Sequence, residues 1–380
     1  MTRSVWPARV GLALLSTVSA GILAAPAQAA GAGATSVSGT KVQYKAAAGK
    51  QNKVVITRSG NTIVIDDKVA IKAGKGCKAV KGDKTKVRCT PPKAPTRVLV
   101  YTYDRVDSIV NNTDVRMTAD GGTAGDTITG GARGDRIKGG SGADRISGLG
   151  GNDYVDGNTG NDVISTGDGD DTLHGAAGND TLRGGNGNDD LWGDEGNDKL
   201  YGGDGRDDLM GYEGRDHLDG EAGPDRLSGE ESGDGASDVV EPDVMLGGSG
   251  VDVVSYGGYL KAVRVDLDGL ADDGVPGEKD LVGADVEGIW GSIRNDVLTG
   301  NAAANYILGG VGDDVIRGGA GNDELDGHSG RDKVYGESGD DILYGEDDPV
   351  AADRLDGGSN GAAGDTCDAR KSDTAVRCER

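Results

Sequence analysis

A carboxylate recurs every nine residues at fifteen successive positions. Asp126, Asp135, Asp144, Asp153, Asp162, Asp171, Asp180, Asp189, Asp198, Asp207, Asp216, Asp225, Asp234, Asp243 and Asp252 hold this phase without a gap. Two positions after each comes an apolar residue, from Ile128 to Val254, the smallest being Ala236. A glycine-rich turn precedes most of them, as in Gly139-Gly140-Ser141-Gly142-Ala143-Asp144-Arg145-Ile146-Ser147. A chain with so strict a period stacks a thin core along one axis and does not wrap around a centre.

Composition agrees. The chain has 70 Gly, no Phe and only 4% aromatic residues, with a net charge of −24. Such a chain leans toward disorder unless stacking of repeats holds it. The expected fold class is all-β, a β-solenoid preceded by a small β domain.

Each unit divides its tasks. The first six residues are expected to turn, with Gly supplying positive φ and letting carbonyl oxygens crowd together. The last three form a short strand whose middle residue points inward. Two units then make one 18-residue turn of a flattened coil. Equivalent units stack about 4.8 Å apart, which brings Asp144 toward Asp162. Carboxylates and carbonyls around one point offer oxygen only, the ligand type Ca²⁺ prefers; Mg²⁺ fits less well because it holds its waters.

These units resemble the RTX (haemolysin-type) nonapeptide. The segment 139–147, the Gly178-Asn179-Asp180-Thr181-Leu182 type and Gly318-Gly319-Ala320-Gly321-Asn322-Asp323 carry the likeness, which extends over about residues 119–380. The resemblance implies a parallel β-roll with multiple Ca²⁺ between successive loops on both edges. The expected metal ligands are Asp144, Asp153, Asp162, Asp171, Asp180, Asp189, Asp198, Asp207, Asp216, Asp225, Asp252, Asp314, Asp323, Asp332 and Asp341. Asp126, Asp135, Asp234 and Asp243 stand in loops that depart from the pattern, and Asn305 offers only a neutral oxygen. Stacked like charges and a thin core predict folding coupled to calcium.

The remaining sequence divides as follows. Residues 1–29 read as a secretory signal peptide, with Arg3 and Arg9 before an apolar run and Ala27-Gln28-Ala29 at the cleavage site. Residues 30–118 read as a small basic β domain. From 31 to 118 it carries 17 Lys+Arg against 6 Asp+Glu, whereas 119–380 carries 21 against 58. The first array is 119–255, and residues 256–290 interrupt it with an acidic loop around Asp272-Asp273-Gly274. A second array runs over 291–366, and 367–380 closes the chain. Cys77 with Cys89, and Cys367 with Cys378, are local pairs that suit disulfides in an exported protein. Zinc is disfavoured, because there is no Cys-x-x-Cys and no His beside either pair.

Function is expected to be calcium binding, extracellular and without catalysis. The three His, His174, His217 and His328, lie singly within repeats. Gly357-Gly358-Ser359-Asn360-Gly361 matches Gly-x-Ser-x-Gly but lacks the strand-to-helix setting that motif needs. A non-catalytic module of a secreted hydrolase is the remote alternative. An adhesion protein is the nearer one, with anionic cell-wall polymer as the partner of residues 31–118 and location at the cell wall. No nucleic acid, no membrane span and a monomer are expected. His174, Trp192 and Met210, 18 residues apart, would form an outward ladder.

Overall fold

The computed structural model describes residues 31–230, 241–345, 352–360, 364–369 and 373–378. The signal-peptide reading of 1–29 and the candidate Asp234 lie outside them. Among the described residues the chain is all β. It forms sheets of 17, 14 and 7 strands, and no helix is long and apolar enough to cross a membrane.

The nine-residue period becomes a parallel stack with a step of two units. Arg136 pairs with Tyr154, Tyr154 with Thr172, and Thr172 with Asp190 on one face. Arg145, Val163, Thr181 and Lys199 do the same on the other. Inward residues fill the space between the faces. Ile146, Ile164, Leu182 and Leu200 meet Val155, Leu173, Leu191 and Leu209, all buried. Each side chain sits above its equivalent, so the core is a continuous file two residues wide.

From Arg136 to Ala222 the strands run six residues, longer than the expected three, whereas Thr127–Thr129 and most strands beyond Ala222 keep three. Thr172–Ala177, for example, runs six, through what the sequence suggested was the turn. Its register with the next strand passes over Gly175 and resumes at Ala176 and Ala177. In these units the turn proper shrinks to about three residues, and the first glycine, such as Gly175, is a kink inside a strand.

Residues 31–118 build onto the same two sheets. The hairpin of Gly33–Ser38 and Lys41–Lys45 joins the 17-stranded sheet through Arg97–Tyr101, which stacks in parallel on Met117–Thr123. Lys53–Ser59 and Thr62–Asp66 turn at Gly60, and Lys53–Ser59 stacks on Ser108–Asn112 in the other sheet. The regular solenoid begins near residue 98, and its parallel pairing reaches back to Lys41–Lys45 and Lys53–Ser59. The core passes without a break from Val42 and Val54 into the repeats. Both expected disulfides form. Cys77 faces Cys89 across an antiparallel pair, and Cys367 takes an inward position against Leu343.

The interruption acts on one face only. The 17-stranded sheet continues through Gly288–Trp290, which links Val253–Ser255 to Tyr306–Leu308. On the other face, Asp280–Val282 ends one sheet against Ala271–Asp273, and Arg264–Asp266 opens the next against Val297–Thr299.

Candidate metal centre

At each regular rung the Asp side chain is buried and divides its oxygens between two tasks. Asp180 is 1% exposed. Its Oδ1 accepts the Asp162 backbone N–H at 2.6 Å, and its own N–H donates to Asp198 Oδ1 at 2.7 Å. Its Oδ2 has no hydrogen-bond partner. The same arrangement holds for Asp144, Asp153, Asp162, Asp171, Asp189, Asp198, Asp207, Asp216, Asp225, Asp252, Asp323 and Asp341. Asp314 and Asp332 occupy the same ladder place, with Asp296 N–H on Asp314 and Asp314 N–H on Asp332. The fifteen candidates therefore share one ladder geometry, in strings that run up the two edges.

Glycine opens the space in front of Oδ2. A Cβ on Gly175 would stand 2.5 Å from Asp180 Oδ2 and 2.8 Å from the Gly193 carbonyl oxygen. A Cβ on Gly193 would likewise meet Asp198 Oδ2 at 2.5 Å and the Gly211 carbonyl at 2.7 Å. The first glycine of each unit therefore leaves a gap, lined by a carboxylate oxygen and by a carbonyl from the next turn. An orphaned anionic oxygen beside carbonyl oxygen fits a hard cation such as Ca²⁺, and the residues present would hold one there.

Electrostatics agree. Burial pushes the Asp162 carboxyl up to about 7 and that of Asp153 to about 8, and their stacked neighbours add repulsion. The backbone N–H received at Oδ1 only partly offsets this. Asp189, Asp198 and Asp225 are likewise raised to about 7, and Asp180 and Asp207 to about 6, burial being the first cause. A cation at Oδ2 would relieve both costs.

In some loops the second oxygen is already satisfied by the chain. Asp135 Oδ2 accepts the Gly131 N–H at 2.8 Å, and Asp296 Oδ2 accepts the Ser292 N–H at 2.6 Å. Asn305 Oδ1 accepts the Asn301 N–H at 2.8 Å. All three loops lack glycine at the fourth position, where Arg133, Arg294 and Ala303 stand. There the chain folds back onto its own carboxylate or amide. Asp126 and Asp243 are different, because each buries an orphaned Oδ2 despite an irregular loop.

The ladders also differ from a uniform 18-residue step. Asp216 N–H donates to Asp243 Oδ1, and Asp225 N–H to Asp252 Oδ1, both at 2.8 Å and over 27 residues. One extra nonapeptide therefore separates the rungs here. Asp243 consequently joins the Asp144–Asp216 ladder, and Asp252 joins the Asp153–Asp225 ladder, which is the reverse of what unbroken phase requires. Beyond this point Asp243 N–H donates to Asp280 Oδ1 and Asp252 N–H to Glu287 Oε2, both at 3.0 Å. Asp280 and Glu287 are rungs that the spacing concealed. Their only signal was the triplet of acid, any residue and apolar residue, in Asp280-Leu281-Val282 and Glu287-Gly288-Ile289. Asp107 opens the series, its N–H donating to Asp126 Oδ1 at 2.7 Å. A separate group, Asp266, Asp268 and Asp272, brings three carboxylates within 4.8 Å of one another outside the ladders.

The model of the RTX calcium-binding nonapeptide repeat matches residues 120–155, 147–182, 165–200, 183–218, 201–235, 290–325 and 318–348. The repeats belong to the RTX family. The RTX matches cover 120–235 of the first array and 290–348 of the second, and leave out residues 236–289, where the ladder is irregular. No match is found among curated proteins. RTX repeats typically bind Ca²⁺, so this match implies calcium binding by the repeats.

A second set of ladders lies beside the candidate Asp ladders. Asn179 Oδ1 accepts the Asn197 N–H, and Asn197 Oδ1 the Arg215 N–H, at 3.0 and 2.8 Å. On the other edge Asp170 and Asn188 do the same for Asn188 and Arg206. These side chains reach forward one turn, whereas the candidate Asp reach back. The preference for Asn and Asp just before the ligand is therefore a backbone-satisfying device.

Proposed function

We propose that the protein is a secreted, non-enzymatic calcium binder whose roll folds as it takes up the ion. The run of orphaned, buried Oδ2 atoms carries this reading. Without a cation each such rung bears an unpaired buried acceptor and a like-charged neighbour. A core two residues wide offsets little of that cost. With few charged ligands at each gap, affinity suits the roughly 10⁻⁴–10⁻³ M calcium found outside cells. The chain would stay open in the cytoplasm and close after export. Two disulfides suit that destination, as does the apolar run in the first 29 residues.

The absence of catalysis rests on placement. His174 stands on one face, His217 on the other and His328 in a loop at positive φ. Ser359 lies in the two-residue strand Ser359–Asn360 and not on a strand-to-helix turn. Circular dichroism in EDTA and in millimolar Ca²⁺, with calorimetric titration, tests the reading. Equal β content in the two conditions would sink it.

A further inference from the structure

The two broad faces of the roll differ in chemistry. One is built by Tyr154–Thr159, Thr172–Ala177, Asp190–Glu195 and Asp208–Glu213. Rings climb it: Tyr154 lies 5.7 Å from His174, and His174 lies 4.3 Å from Trp192. Next above, the Tyr212 hydroxyl donates to the Met210 sulfur at 3.5 Å. These strands hold Asp156, Asp190, Asp194, Glu195, Asp208 and Glu213 but no Lys or Arg. Lys138 meets Asp156 at 2.9 Å and Arg226 meets Asp208 at 3.3 Å, so the stretch is neutralised at its ends and acidic in its middle. The opposite face at this level includes Arg145, Arg183 and Lys199.

Backbone strain marks the same place. Asn158, Ala176, Asp194 and Tyr212 stack at φ of 72–73°, a left-handed conformation that costs a residue with a side chain. The other edge has Gly167, Gly185 and Gly203 at the equivalent middle positions, between Leu149 and Glu221. Side chains kept against that cost line a groove of about 500 Å³, with Glu195 and Glu213 beside them.

The complementary charge lies at the first end of the roll. Residues 68–88 contain seven Lys and one Arg against Asp83 alone. Lys86 is engaged by Asp66 at 2.8 Å, while Lys72, Lys75, Lys78, Lys81 and Lys84 are exposed. Ile71–Ala73 is the last strand of one sheet and Cys77–Val80 the last of the other, so these lysines crown the end. Edge strands loaded with lysine resist pairing with other edges, which leaves a face as their partner. Ammonium groups suit Trp192 and Tyr212 rings beside Glu195 and Glu213. The chain already uses cations over rings, with Arg183 4.4 Å from the Tyr201 centroid.

We propose that the acidic, ring-lined face of the roll docks the lysine crown of a second copy of this chain. The contact is end to flank and does not close on itself, so copies add in succession. A roll that completes its own core suggests a monomer; this contact adds a weak, salt-sensitive association of folded copies.

Sedimentation of the full chain in millimolar Ca²⁺ tests it. Mass should rise with concentration at low salt and fall to the monomer near 1 M NaCl, where the screening length is about 3 Å. Two variants separate the surfaces: Trp192→Ala with Glu195→Gln and Glu213→Gln, and Lys75→Gln with Lys78→Gln and Lys81→Gln. Neither touches the ligand ladders, so the calcium-induced dichroism should persist and report folding. Each variant alone should associate at least tenfold more weakly. Mixed, they should form a one-to-one pair and nothing larger, since each retains one surface. A monomer at every concentration overturns the proposal, as does association indifferent to both variants. So does a monomer whose crown instead binds an anionic polymer.

Discussion

At a single rung, the carboxylate and the glycine opposite it can be tested separately. Asp180→Asn keeps the acceptor for the Asp162 N–H but replaces the orphaned Oδ2 with a donor. Calorimetric titration should lose one or two ions. In EDTA the variant should be more stable than the parent by on the order of 1 kcal/mol, because a buried charge is gone. Gly175→Ala closes the gap without touching charge, its Cβ standing 2.5 Å from Asp180 Oδ2. It should lose the same ion and lower stability in calcium by roughly 1–3 kcal/mol, read from thermal melts. If both variants bind the full complement of calcium, Oδ2 is not the ligand.

Within a strand and its loop, the forward-reaching Asn ladder separates stability from metal. Asn179→Ala removes the acceptor of the Asn197 N–H. Urea unfolding in calcium should show a loss of about 0.5–1.5 kcal/mol, with the number of bound ions unchanged. A fall in ion count would make Asn179 a ligand instead. The terminal strands offer a second comparison. Cys367–Cys378 spans 11 residues and closes the end of the core file over Leu343. Its loss should cost about 3 kcal/mol in the chain-entropy model. That loss should appear as fraying of the second array, measured by hydrogen exchange.

For the whole molecule, the carboxylates set a pH dependence. Burial holds Asp126, Asp162, Asp189, Asp198, Asp216 and Asp323 up at about 7, against about 4 in the open chain. The metal-free folded state therefore holds more protons than the unfolded state between those values. Its stability is greatest below about pH 4 for these groups and declines as pH rises through about 7. In EDTA, β content should rise on acidification from pH 8 to pH 5. In calcium the trend should reverse, because the ion competes with those protons and binds less well below pH 7. Dichroism against pH, with and without calcium, should give opposite slopes; parallel slopes would contradict the assignment.

Much of this was legible because a period of nine is local information. It specified the inward apolar file, the repeated Asp, the glycine that frees the loop and the choice of oxygen-binding ion, since each depends on residues a few places apart. Asp144 to Asp225 could be read as ligands on that basis. The irregular places were not legible, because the partner of a rung is chosen by stacking and not by counting. Asp280 and Glu287 continue the ladders although the phase is lost, and Asp243 changes ladder because one nonapeptide is extra. Asp135 and Asp296 keep the motif's acid but satisfy it with their own loop N–H groups. Sequence alone determined the inward apolar residue and the repeated carboxylate of each regular unit. Tertiary structure decided which units stand one above another and which carboxylates are left with an oxygen to spare, because both depend on backbone groups brought together from a turn or more away.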